Sequence, residues 1–301
     1  MSQTSSRERW FEPFAGHHPA VFIATERVLP EADPDEDLLL EALAAAGVEP
    51  RLATWSDDGI DWSAGALTVI RSTWDYHHQR EEFVDWAERV GGRTQLWNPA
   101  PVVRWNSHKG YLLRLADAGV PVVPTVLLRQ GAPANLAEIM SQRGWMRVVV
   151  KPAVSASSYR TLHAGAETID EGDAHLRELL AERDALVQPY VASVEDYGER
   201  AVIWIDGRFS HAVRKSPRFS ADDEAVSEAL PIAEDERLVA ERTLAAVNEP
   251  LLYARIDLAR DSDGRPQVME LELIEPSLYL LQSPDALSRL VSAISARART
   301  A

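Results

Sequence analysis

The spacing of apolar positions changes character about 120 residues into the chain. Up to that point short apolar runs alternate with helical periodicity. Val21-Phe22-Ile23 reads as a strand, and Asp35, Glu36 and Asp37 then open a helix whose Leu38, Leu39, Ala42, Leu43 and Ala46 share one face before Gly47 stops it. Arg51–Thr54 and Leu67–Arg71 read as further strands, Glu81–Val90 as a helix, and Asn106–Ala118 as one capped helix ending at Gly119. This alternation predicts a small parallel α/β sheet of Rossmann type. Pro121 and Pro124 mark a lobe boundary.

Beyond it, strands dominate: Thr125–Leu128, Arg147–Val150, Leu186–Gln188, Ala201–Asp206, Arg208–Val213, Leu252–Leu258 and Gln267–Ile274. Helices are expected at Ala134–Gln142, Ala174–Glu182, Glu234–Val247 and near Ala286–Ala296. Asp206-Gly207 and Asp263-Gly264 sit between β-type runs, a strong hairpin signal that favours an antiparallel α+β body here.

Composition narrows the function. The chain has 301 residues, 46% of them apolar, with ample material for a core, and its polar first sixteen residues read as a loose tail. A formal net charge of −16 argues against general nucleic-acid or anionic-membrane binding while leaving room for a nucleotide, which needs only local cations. With no cysteine there are no disulfides, thiolate nucleophiles or Cys-based zinc sites. No long apolar run is present, so cytoplasm is the default. The P-loop, dinucleotide-binding and nucleophile-elbow motifs are all missing. The adjacent pairs His17-His18 and His77-His78 cannot share a face of a helix or strand and read as surface residues.

The sharpest chemical signal lies in Leu252–Ile274. If Asp263-Gly264 is a two-residue turn, Asp257 falls opposite Glu270 and Arg255 opposite Glu272, while Leu252, Ala254, Ile256, Leu258, Met269, Leu271 and Leu273 take the other face. Opposed carboxylates are unfavourable in a sheet unless a hard cation such as Mg²⁺ bridges them to phosphate oxygens. The plain alternative is a solvated face with an Arg255–Glu272 ion pair, and register alone admits both. Lys151 ends the run Val148-Val149-Val150 and leads into a loop of small residues, Ala153–Ser158, suited to phosphate or to nothing in particular. Lys109 shares a helix face with Leu112 and Leu113, and either snorkels or enters a cleft. Gln188-Pro189-Tyr190-Val191 offers free backbone polar groups beside apolar side chains, and the Asp206-Gly207 hairpin places Arg200, His211 and Lys215 with Trp204 and Phe209. Arg71-Ser72-Thr73-Trp74-Asp75-Tyr76 follows the carboxyl end of a strand, where ligands of open α/β sheets bind. There Arg71 can fork onto a carboxylate and Asp75 can hold an ammonium, with Ser72, Thr73 and Tyr76 beside them; otherwise the segment is a structural turn.

In order and spacing, Lys109, Val150-Lys151-Pro152, Gln188–Val191, Arg255-Ile256-Asp257 and Glu270-Leu271-Glu272 resemble the ATP-grasp superfamily, in its glutathione-synthetase-like branch. Trp105–Lys109, Ser210–Pro217, Arg71–Tyr76 and Glu272–Ser277 are similar to the group containing the D-cycloserine-forming ligase. The resemblance covers residues 20–295. It implies an α/β, Rossmann-like N-terminal lobe followed by α+β ATP-grasp lobes with antiparallel sheets. The implied division is a flexible tail to residue 19, a pre-ATP-grasp substrate domain over 20–124, a lid over 125–187 and a C-terminal subdomain over 188–301. It implies that Lys109 and Lys151 hold ATP phosphates under a loop bearing Ser155, Ser157 and Ser158. Gln188, Tyr190 and Val191 would line the adenine, and Glu195 or Glu199 would meet the ribose. Asp257, Glu270 and Glu272 would hold Mg²⁺, two ions in all, with Glu272 standing where the family usually has asparagine. Arg255 would stabilise the tetrahedral intermediate, and Arg200 and Lys215 the acyl phosphate. The substrate loop appears as the acidic segment Arg218–Ala229, which departs from the family's pattern. The implied enzyme joins the carboxylate of a small amino acid-like substrate to an amine, releasing ADP and phosphate; a homodimer is compatible with this. Ring closure within one amino acid derivative, phosphorylation of a small molecule and a non-catalytic nucleotide-binding role are the rival readings.

Overall fold

The computed structural model describes residues 7–12, 18–156, 158–216 and 225–301. The expectations for His17, Ser157 and most of the acidic segment (218–224) lie outside these residues.

Three four-stranded sheets build the molecule. The first is parallel, in the order β2-β1-β3-β4, from β1 (Ala20–Thr25), β2 (Glu49–Thr54), β3 (Leu67–Ile70) and β4 (Gln95–Trp97). The helices Glu36–Ala45 and Arg80–Gly91 form its crossovers, as the apolar spacing predicts. The second sheet is antiparallel, β5-β8-β6-β7, from β5 (Val126–Leu128), β6 (Arg147–Pro152), β7 (Leu162–Gly165) and β8 (Ala185–Pro189). The third, also antiparallel, is β10-β9-β11-β12, from β9 (Glu199–Ile205), β10 (Arg208–Lys215), β11 (Tyr253–Arg260) and β12 (Pro266–Glu272). No helix among the described residues is long and apolar enough to cross a membrane.

Several details correct the sequence reading. Residues 7–12 are not loose: Arg7 donates to Glu36 at 2.7 Å and its guanidinium lies 5.2 Å from the Phe11 ring. The helix expected over 106–118 is two, Ala100–Asn106 and Tyr111–Asp117. They part because the Lys109 N–H leaves the helical ladder to donate to Ala153 O at 2.7 Å. His77 and His78 do meet, with ring centroids 3.9 Å apart at the end of a 3₁₀ turn, where both rings also approach Tyr159.

The β11–β12 hairpin repays counting. Asp257 pairs with Glu270 and Arg255 with Glu272, as expected. The loop is nevertheless one residue longer than a two-residue turn, with Asp261 N–H bonded to Arg265 O and Gly264 at φ 79°. A bulge between Asp257 and Leu258 restores the register, because Leu258 pairs with Val268. Val268 therefore takes the core position, while Met269, expected on the apolar face, lines a cleft beside Glu270. The β9–β10 turn is a true two-residue type I′ turn, with Asp206 at φ 46° and Gly207 at φ 83°.

Two buried asparagines fasten the first lobe to this hairpin. Asn98 donates to Tyr253 O (2.9 Å) and Leu273 O (2.7 Å) and accepts from Leu252 N–H; Asn106 donates to Leu271 O (2.8 Å) and accepts from Leu273 N–H. Each such bond contributes only about 1 kcal/mol net, but losing either side chain would orphan buried backbone groups.

Candidate active site

A cleft of about 450 Å³ opens between the two antiparallel sheets, in the size range of small-molecule sites. Its floor is the polar face of β11 and β12. Asp257 is buried and accepts from Arg255 Nε (2.9 Å) and Nη2 (3.0 Å) and from Lys215 Nζ (2.7 Å). Arg255 also pairs with Glu272, Lys109 with Glu270, and Lys215 with Glu199 at 3.0 Å. The Lys109 ammonium further donates to Ser155 O at 2.9 Å and so ties the small-residue loop to the metal-type carboxylates. Lys151 lines the same cleft and has no ion-pair partner among the described residues; burial lowers its pKa.

Around this floor lie Ser155, Ala156, Ser158 and Thr161 on one side and Gln188, Pro189, Tyr190 and Val191 on another. Gln188 is held by a 2.9 Å bond from its Nε2 to Thr125 Oγ1, and the Tyr190 ring lies 3.9 Å from the Arg147 guanidinium. Of the two acids that sequence leaves open, Glu199 lines the cleft, whereas Glu195 pairs with Arg147 at 3.2 Å outside it.

One expectation fails here. Arg200 does not reach the cleft. It points to the opposite face of its sheet, where its Nε lies 3.1 Å from buried Glu236 of the helix Glu234–Ala245 and its Nη2 donates to Pro231 O. Strand periodicity settles this, since Lys215 pairs with Glu199 and Arg200 is its neighbour on the other side. The segment after β3 is more structural than expected. Arg71, Ser72, Thr73 and Tyr76 are buried, Ser72 Oγ donates to Asp33, and Asp75 accepts from Trp55 Nε1 at 2.7 Å. Only Trp74 of this turn lines the cleft, its Nε1 donating to Glu275 O at 3.3 Å.

Among the described residues the cleft is lined by six carboxyl groups (Glu31, Glu199, Asp257, Glu270, Glu272, Glu275) against four cations (Lys109, Lys151, Lys215, Arg255), a formal excess of two carboxyl groups over cations. Burial pushes Asp257 and Glu270 up, but Arg255 and Lys215 on one and Lys109 and Lys151 on the other overcome it and hold both below their ordinary values. Glu272 and Glu275 go the other way. Desolvation, reinforced by neighbouring carboxylates, pushes Glu272 up to about 7 even beside Arg255, and Glu275 up to about 8. An excess of hard oxygen donors held back from ionising is what a divalent cation would relieve. Among the described residues no three of Asp, Glu or His form a ready-made metal site. Mg²⁺ typically takes one or two carboxylates and completes its shell with phosphate and water.

The raised pair gives a pH prediction. Glu275 binds its proton more tightly in the folded chain than its ordinary 4.5, so the unfolded chain releases first and this group's stabilising contribution is lost as pH rises from about 4.5 to about 8. The buried histidines, whose pKa values burial lowers, act in the opposite sense and mask the trend in the unaltered protein. They cancel in a comparison. The melting temperature of Glu275→Gln should therefore gain on the unaltered protein between pH 5 and pH 8, by a shift worth a few kcal/mol at most. A difference that is flat or shrinks over that interval contradicts the assignment.

The chain is similar to known proteins. Residues 21–98 match the family described as the N-terminal domain of D-cycloserine synthetase DcsG. Over 291 residues, 91% of this chain and 97% of the relative, the sequence is 35% identical to the cycloserine biosynthesis protein DcsG of Streptomyces lavendulae. The crystal structure of D-cycloserine synthetase DcsG superposes with a TM-score of 0.85 at 34% identity, over 93% of this chain and 99% of that one. The D-alanine–D-alanine ligase of Bacillus anthracis, solved with ATP, shares the fold at a TM-score of 0.67 and 18% identity, over 93% of this chain and 97% of that one. The chain belongs to the DcsG family of the ATP-grasp superfamily and is an ATP-dependent ligase.

Proposed function

We propose that the enzyme activates the carboxylate of a small amino acid-like substrate as an acyl phosphate and joins it to an amine, releasing ADP and phosphate. The observation that carries this reading is the cleft floor, where Asp257, Glu270 and Glu272 interleave with Lys109, Lys215 and Arg255 beneath Lys151. Both chemical steps build charge on oxygen, and preorganised cations that need not reorient are the most effective way to stabilise it. Lys109 and Lys151 hold the nucleotide phosphates, and Ser155 and Ser158 bring backbone N–H groups to them. Gln188, Tyr190 and Val191 form the wall for the base, and Glu199 takes the ribose. Asp257, Glu270 and Glu272 hold Mg²⁺, as two ions, which when bound neutralises phosphate charge. Arg255 and Lys215 face the acyl carbon's developing oxyanion.

A second reading is favoured by the 35% identity to a cycloserine biosynthesis protein: acid and amine belong to one molecule, and the product is a ring. Hydrolysis of the cycloserine ring amide would give an alanine bearing an aminooxy group on its β-carbon, that is O-aminoserine, which defines the reactant class. A panel of D- and L-amino acids and O-aminoserine, incubated with ATP, MgCl₂ and hydroxylamine, tests both readings. ADP, phosphate and a hydroxamate are expected. Stoichiometric AMP and pyrophosphate would reject the acyl phosphate. Without hydroxylamine, a product one water lighter than a single substrate marks ring closure, and one uniting two substrates marks ligation.

A further inference from the structure

Four of the cleft carboxylates lie within ion-pair distance of a cation: Asp257 of Arg255 and Lys215, Glu270 of Lys109, Glu272 of Arg255 and Glu199 of Lys215. Glu275 lines the same cleft and has no ion-pair partner among the described residues.

Its backbone, by contrast, is held at almost every position around it. Leu273 is bonded by Asn98 and Asn106. The Tyr253 hydroxyl lies 2.8 Å from Ile274 O and 2.5 Å from Ile70 O, and Trp74 Nε1 donates to Glu275 O. Arg255 Nη1 reaches Ser277 O at 3.4 Å, and the Asp35 carboxylate collects the N–H groups of Leu278 (3.2 Å), Leu280 (2.8 Å) and Leu281 (3.2 Å). The segment is pinned from both lobes, and it presents Glu275 to the cleft beside Ser277 and Tyr279 with no cation paired to it among the described residues. Desolvating a carboxylate that has no paired cation is costly, and desolvation together with the nearby Glu272 carboxylate raises the Glu275 pKa. A ligand that brings N–H donors removes that cost. Phosphate cannot, since it would be repelled here and has Lys109 and Lys151 to receive it.

We propose that Glu275 binds the attacking amine, accepting its N–H and so aiming the nitrogen lone pair at the acyl carbon. This rests on the ligase reading above. In the step it serves, the nitrogen lone pair forms the C–N bond and the acyl C–O bond breaks. The phosphate leaves with that electron pair and takes up the proton lost by nitrogen. Glu275 thereby selects substrates whose nucleophile carries N–H donors.

Hydroxylamine serves as the probe amine, with the amino acid of the panel that yields most hydroxamate as the acid. Glu275→Gln should raise the half-saturating hydroxylamine concentration tenfold or more, the size of one lost charge-assisted hydrogen bond. The rate at saturating hydroxylamine and the KM for ATP should stay within about twofold, as expected when one ground-state contact is removed. Glu275→Asp, which keeps the charge but withdraws it by one methylene, takes the place of the amide should that variant fail to fold, and is held to the same outcome. An unchanged hydroxylamine dependence, or a parallel rise in the KM for ATP, overturns the assignment while leaving the ligase reading standing. An unaltered enzyme that makes no hydroxamate with any acid overturns both.

Discussion

Glu270→Gln loses Mg²⁺-dependent ADP formation by at least about a thousandfold and keeps its fold, because the change removes a charge and almost nothing else. Glutamine has the shape of glutamate and still offers Lys109 an acceptor, and the Lys109 ammonium retains Ser155 O. Glu270 contributes little to the core, its side chain being 28% exposed. The loss of stability should therefore stay within about 2 kcal/mol, the upper end for a partly exposed ion pair. Its position is another matter. It stands directly across from Asp257 on the neighbouring strand, and only the two together make a dianionic floor beneath Lys151. ADP release at saturating MgCl₂ and ATP, set beside a thermal melt of the same preparation, separates the two effects. Turnover near that of the unaltered enzyme would remove Glu270 from the metal site.

That pairing was legible from sequence for a reason partly fortuitous. The Asp-Gly dipeptide announces a turn but not its length, and the real loop is one residue longer than assumed. The bulge at Met269 adds the compensating residue on β12, so the count is right at the carboxylates and wrong on the turn side of them, at Met269 and Val268. Arg200 shows the opposite failure. A basic residue near a hairpin looks available, yet its strand neighbour Lys215–Glu199 already owns the cleft face, and the buried Glu236 that claims Arg200 lies on a helix 36 residues away in sequence. The break at Lys109 depends on Ala153, a contact between lobes that local propensity does not encode. Glu275 was passed over because nothing beside it in sequence distinguishes an unpaired carboxyl from a paired one. Only the placement of the surrounding cations, with Lys109, Lys215 and Arg255 already paired to other carboxylates, does so. Period-two and period-3.6 patterns thus carry the parallel-then-antiparallel plan, whereas two of the site's ion pairs, Lys215–Asp257 and Lys109–Glu270, join residues 42 and 161 apart in sequence.

Arg255→Met should be the most damaging single change in both stability and turnover. The guanidinium is buried and is shared between Asp257 and Glu272, so removing it leaves Asp257 with Lys215 alone and Glu272 with no cation of its own. Breaking a buried ion pair from one side typically costs about 3–5 kcal/mol, because the orphaned charge stays desolvated. In a protein of this size that corresponds to a fall in Tm of about 10 °C. Methionine fills much of the same volume, which confines the loss to charge rather than packing. The double variant Arg255→Met with Glu272→Gln tests this account, since it deletes the orphan along with its partner. About half of the lost Tm should return if uncompensated charge is the cause, and none if Arg255 acts through packing against the Tyr279 ring 5.7 Å away. Turnover should not return with it. In both variants the cleft lacks the cation proposed to face the developing oxyanion, and ADP formation should remain about a thousandfold down. A double variant that regains activity along with stability would show that Arg255 only balances the carboxylates, leaving Lys215 to meet the oxyanion.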